Sequence, residues 1–374
     1  MNHVRVLIGD KGSRAFLVGL VLAWLSAVAL CQSSEQPSQG PPGCERFDGV
    51  QIPVGDLPAA QDHEIVTSCG HAGTETFAPS VDLYFGIVHP VDPVNARKCA
   101  YLEREASRKT HQSLMEDGYL GGVELLTMIY ANGKGAARSF DLALKFACEI
   151  AEDEDVPENK NRVERLVKLQ NEHWNGSDYS VCDDLNVPRP TAGKLGCRHL
   201  QQHFEQVARD ARLARDTVHW SSKETEALAQ LRLAAAQFFQ ASSDNEVEVE
   251  MHGAGAYWDA EITQIEARKD LDDAFVADLE RFEKGQLPQF SAAQFKESDA
   301  RLNSQYKAVL AWTPDPGEPA TIITPEGVKT TQRAWLRYRE AWVAFGQAKY
   351  PGVTADSWRT WLSQQRAQML EGVR

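Results

Sequence analysis

No cysteine follows Cys197 in this 374-residue chain and no two cysteines stand as C-x-x-C, so the second half has no covalent staple and zinc-ribbon chemistry is excluded. No alternation of apolar and polar residues persists beyond a few positions, which excludes a sheet of any size. A positive surplus is missing too. Lys and Arg total 39 against 53 Asp and Glu, a formal charge of -14. Such a surface repels phosphate backbones, so nucleic acid is not expected as a partner and a basic protein is. Catalytic patterns are equally scarce. Gly133-Lys134-Gly135 lacks the spacing and the hydroxyl of a phosphate loop. His63-Glu64 opens like a zinc-protease helix, but the fifth residue is Thr67 and the segment reads as non-helical. His199 and His203 share a helix face without a third ligand, which reads as a solvated surface. The run Glu152 to Asp155 has neither the glycine nor the alternation of a calcium loop, and Glu246, Glu248 and Glu250 alternate with valines in what reads as a short extended link. No nucleophile has an evident base. The expectation is therefore no metal, no cofactor and no enzyme.

What is present begins with an export signature. Lys11 and Arg14 precede an apolar run from Ala15 to Leu30, and Ala27 with Ala29 forms an A-x-A cleavage site. The run falls short of the roughly 20 apolar residues of a membrane span, so no stable span is expected once residues 1–29 are removed. Lipid attachment at Cys31 is the secondary reading, because Leu30 stands where such a site has a small residue. Cleavage removes more basic than acidic charge and leaves about -16 on the mature chain. The six cysteines that follow, Cys44, Cys69, Cys99, Cys148, Cys182 and Cys197, read as a disulfide framework of an oxidising compartment, periplasmic or secreted. Cys182 with Cys197 is the first pairing expected, because the turn-rich loop between them gains from closure.

Along the chain, residues 30–43 read as a flexible tether rich in Ser, Gln, Pro and Gly, and 44–77 as an irregular segment stapled by Cys44 and Cys69. Helical periodicity starts near residue 78. Residues 191–288 read as long helices, one of them opened by a capping box at Ser221 and Glu224. In residues 289–374, Asp299, Leu302, Asn303 and Tyr306 recur at three and four residue steps on one helix, and Trp335, Tyr338, Trp342 and Phe345 on another. Prolines between them break the chain into an antiparallel hairpin closed by an acidic loop from Thr313 to Gly327. Asp299, Asn303, Arg333 and Arg339 are expected to form a polar clamp inside it. The class is all-α: a disulfide-stapled arm, long helices, then a terminal hairpin or bundle.

Two stretches carry family resemblances. Gly121 to Gly135, with Tyr130, Gly133 and Gly135 at a turn and Ala143, Phe146 and Ala151 beyond it, resembles a Sel-one-like helical repeat, and a weaker copy surrounds Tyr84 and Gly86. That resemblance implies a protein-binding solenoid over residues 78–190. Farther on, D-x-x-L-N-x-x-Y from Asp299 to Tyr306 and Q-R-x-W-L-x-Y-R through Gln332, Arg333, Trp335, Leu336, Tyr338 and Arg339 resemble the LprI-like lysozyme-inhibitor family. This resemblance implies an envelope protein that binds, and can inhibit, a muramidase, with a basic lysozyme as the candidate partner and these ten residues as the candidate contact set. The family pattern also brings a cysteine pair to the hairpin, which is absent here. Trp342 stands about where the second would fall, so packing replaces a staple.

Overall fold

The structure is a computed structural model that describes residues 43–58, 63–110, 120–153, 157–184, 192–249, 255–312 and 322–373. The expected signal peptide, Cys31, almost all of the expected tether and most of the Thr313–Gly327 loop lie outside the described residues. Among those described there are twelve α-helices and no strand, so the chain is all-α. No helix among them is long and apolar enough to cross a membrane.

Two hydrophobic cores divide the molecule. The first runs from Cys44 to Leu200 and is built from α1 (His63–His71), α2 (Pro79–Phe85), α3 (Pro93–Thr110), α4 (Gly122–Asn132), α5 (Phe140–Asp153) and α6 (Pro157–Asn171). Helix α2 starts on Pro79, whose missing N–H costs nothing at that position, and α4 ends on Gly133 in the left-handed region at φ 66°. Gly135, at φ 98°, lets the same turn lie against α3, since a Cβ there would collide with the Pro93 carbonyl. Consecutive helices pack as neighbours, α2 on α3, α3 on α4, α4 on α5 and α5 on α6.

Three disulfides clamp this arm: Cys44–Cys148, Cys69–Cys99 and Cys182–Cys197, the last being the pair expected from the turn-rich loop. The first closes a separation of 104 residues; restricting a loop of that size removes about 4.7 kcal/mol of unfolded-chain entropy. The segment expected to be irregular proves partly helical. Helix α1 occupies its second half and carries Cys69 near its end, so Cys44 and Cys69 staple it to α5 and α3 respectively. The His63-Glu64 pair is thus on a helix after all, but Thr67 still stands where a zinc protease needs its second histidine.

Helix α7 (Ala192–Asp216) links the two cores: Leu200 belongs to the first and Leu213 to the second. It is tied to α9 (Ala256–Glu283) by cross-helix ion pairs, among them Arg209 with Asp273 at 2.9 Å and Arg198 with Glu266. The second core belongs to α8 (Ser222–Asn245), α9, α10 (Ala292–Ala311), α11 (Pro325–Lys349) and α12 (Ala355–Glu371). Ser221 and Glu224 form the expected capping box at the start of α8.

One carboxyl in the arm gives it a pH dependence. Glu103 on α3 accepts from the Ser80 amide at 2.9 Å and from the Ser80 hydroxyl at 2.5 Å. Burial nevertheless pushes its carboxyl up to about 7 from an ordinary 4.5. Between those values the folded chain holds a proton that the unfolded chain has released, so stability is greatest at the acidic end of the window and falls as pH rises through it. In thermal melts of the arm, the midpoint is expected to drop between pH 5 and pH 8, and Glu103→Gln to flatten that slope. A slope that survives the substitution contradicts the assignment.

Candidate functional site

The carboxyl-terminal bundle presents the motif residues, and local capping sets the directions of its helices. Ser291 and Gln294 form a capping box at the start of α10, Thr324 accepts from the Gly327 amide at 3.1 Å at the start of α11, and Thr354 accepts from Ser357 at 3.2 Å at the start of α12. Helix α11 turns Trp335, Tyr338, Trp342 and Phe345 inward, as their spacing predicts. The Trp342 and Trp358 rings stack with centroids 6.0 Å apart, and Phe282 meets both, and Trp361, edge-on. Gly346 has no side chain because the Trp358 indole occupies that space. Leu302 is buried in the same core and Tyr306 packs partly against it.

The expected hairpin does not close on itself. Helix α10 lies chiefly along α12 and α11 chiefly along α8, while α10 and α11 touch only lightly. Tyr338 stacks on Phe238 of α8 at 5.2 Å and meets Phe239 at 5.5 Å, and the Thr331 hydroxyl donates to the Ala241 carbonyl at 2.8 Å. The apolar stripe of α11 needs a wall opposite it, and α8 supplies the wall, which puts a five-helix bundle where the pattern pointed to a pair.

The polar clamp also differs from expectation. Asn303 donates to the Asp299 carboxylate at 3.0 Å and Arg339 lies 3.6 Å from it, with the guanidinium 5.1 Å above the Trp335 ring. These three groups meet at the rim, where the Asp299 side chain is 41% exposed. Arg333 is not among them; it stands out from α11, 3.6 Å from Glu326. The buried ion pair is another one altogether. Arg366 of α12 makes two bonds to Glu246, at 2.7 and 2.6 Å, and a third to Gln332 of α11 at 3.0 Å, with both charged side chains almost wholly enclosed. Glu246, read as part of an extended link, caps the end of α8. Sequence held one clue to this centre: Arg366 falls in step with Trp358, Leu362 and Leu370, on an otherwise apolar stripe. Nothing local marks Glu246 as its partner.

What remains outside is an edge of α11. Leu336 and Arg337 lie three and four residues after Arg333, so the three share one side of the helix, all exposed, and Arg337 has no ion pair among the described residues. Glu340, one turn on, is held below the usual carboxylate range by Arg359, which bonds it at 2.7 Å. The turn expected to belong to a repeat, at Tyr130, Gly133 and Gly135, offers no comparable surface. Tyr130 is enclosed, its hydroxyl 2.7 Å from that of Tyr101 and donating to Asp56 at 2.9 Å. His199 pairs with Glu261 at 3.1 Å, and the described residues contain no group of three ligating side chains suited to a metal.

Residues 283–370 match the model of the family Lysozyme inhibitor LprI. It is an inhibitor family rather than a catalytic one. No curated protein and no solved structure matches the chain. The matched span covers α10, α11 and nearly all of α12, and leaves out α8 with Glu246.

The two kinds of ion pair should therefore behave differently. Glu246→Ala strands a buried guanidinium and is expected to cost the bundle about 3–5 kcal/mol, whereas Asp299→Ala removes a rim pair worth about 0–1 kcal/mol. Urea unfolding of the two variants checks this, and equal costs would refute the assignment of the buried centre.

Proposed function

We propose that this protein works outside the cytoplasm by binding another protein through the exposed edge of α11, and that its target is a muramidase which it inhibits. The observation that carries this reading is the strip Arg333, Leu336 and Arg337, which projects from the span matching the inhibitor family. A muramidase cleaves glycans with two carboxyl groups in a cleft. Guanidinium groups brought to those carboxylates form charge-assisted, two-pronged bonds, and Leu336 between them supplies apolar contact at the centre. The excess negative charge of the chain draws a basic partner over longer range, while the arginines act at contact. Export is supported by the three disulfides and by the character of the matched family. In this reading the inhibitor-like domain spans 289–374, with α8 and α9 of the 191–288 region as its structural support.

The second reading is a periplasmic scaffold without inhibitory activity. It takes residues 78–190 as Sel-one-like repeats, and is favoured by the two successive helical hairpins, α2 with α3 and α4 with α5. One assay separates the two. Purified residues 32–374 are titrated against animal-type and bacterial muramidases while cell-wall turbidity is followed at low and moderate salt. Inhibition at both salts is expected, weakened roughly tenfold or more by the Arg333→Glu, Arg337→Glu double variant. Inhibition at low salt alone would reduce the effect to unspecific charge attraction, and none would favour the scaffold.

A further inference from the structure

An open cleft of about 810 Å³ is walled by α7, α8 and α9 and edged by Phe77 from the segment before α2 and Ile322 from the segment before α11. Its volume is in the range of pockets that enclose small organic ligands. No residue of α11 lines it, so it is separate from the edge described above and independent of the inhibitor reading.

Each carboxylate in its walls already has a polar partner within the protein. Glu261 is paired with His199 at 3.1 Å, Asp244 accepts from Gln240 at 2.7 Å, and Asp272 lies 3.9 Å from both Arg209 and Arg268. Burial also pushes the Asp272 carboxyl up, which weakens its claim as a free anion. A bare cation would have to displace these partners, and an anion would meet three carboxylates. A lipid tail would strand the polar walls.

The amides are not matched. Gln202 on α7 and Gln264 on α9 are half-buried in the walls, and their side-chain amides make no hydrogen bond among the described residues. Each offers two donors and an acceptor, the complement of a hydroxyl group that both gives and accepts a hydrogen bond. Apolar faces flank them. The Phe77 ring lies on one wall, Ile265 is buried in the lining, and Tyr257 is exposed at the rim. Polar groups at the sides with ring faces between them suit a molecule whose edges carry hydroxyls and whose faces carry C–H bonds.

We propose that this cleft binds a neutral, polyhydroxylated ligand, an oligosaccharide of pyranose rings, held by Gln202 and Gln264 and stacked against Tyr257 and Phe77.

The test is calorimetric titration of the full exported chain with four probes: a chito-oligosaccharide, a malto-oligosaccharide, spermine and inorganic phosphate. Saturable binding of at least one oligosaccharide is expected, with spermine and phosphate giving none at this site. The Gln202→Ala, Gln264→Ala double variant is expected to weaken that binding roughly tenfold or more with an unchanged melting midpoint. Tyr257→Ala, at an exposed position, is expected to weaken it as well and serves if the double variant folds poorly. Absence of binding by both oligosaccharides overturns the proposal, as does spermine binding alone or an affinity indifferent to the amides and to Tyr257.

Discussion

A guanidinium withdrawn from water must find nearly all of its hydrogen bonds within the protein, and at Arg366 three segments distant in sequence meet to supply them. Glu246 comes from the end of α8, Gln332 from α11, and Arg366 itself from α12. Their geometry fixes the register of α8 against α11, and hence which rings face which. Once it is set, Tyr338 falls against Phe238 and Phe239, and the stacked Trp342 and Trp358 are enclosed behind it. The edge carrying Arg333, Leu336 and Arg337 is the face left over after those contacts are satisfied. The proposed interaction surface is thus a consequence of how the bundle is locked.

The two halves of the molecule solve the same problem with different means. In the arm, the helices are tied by three disulfides, one closing a separation of 104 residues. The bundle has no cysteine, and its tryptophans, phenylalanines and the buried ion pair take over. Trp342 illustrates the exchange: where the family resemblance leads one to expect a cysteine, an indole sits in the centre of the ring cluster and touches Tyr338, Phe345, Trp358 and Trp361. Packing of this kind requires a complete set of walls, which a disulfide does not. That difference explains why α8 and α9 belong to the bundle although the family match begins only at residue 283.

Much of the local structure was legible because it is encoded locally. Helix starts at Ser221 and the inward stripe of Trp335, Tyr338, Trp342 and Phe345 follow from spacing and capping alone, and the Cys182–Cys197 pair follows from a short turn-rich loop. Helix α1 was missed because its nine residues include glycine, two histidines and β-branched side chains, and tertiary packing with Cys69–Cys99 overrides that weak propensity. The buried ion pair was missed for another reason. Glu246 and Arg366 are 120 positions apart, and no periodicity links two residues over that distance. The clamp drawn from nearby charges placed Arg333 inside; its helical phase puts it outside, one step from the buried Gln332.

If the ion pair and the α8 wall hold the bundle together, the matched span cannot stand without them. Comparing fragments 283–374 and 217–374 by denaturant unfolding, followed by tryptophan fluorescence, tests this most directly. The longer fragment should unfold in one steep transition, and the shorter should show no cooperative transition or a far weaker one. A fragment 283–374 that unfolds as steeply and at the same midpoint as the longer one would contradict the account.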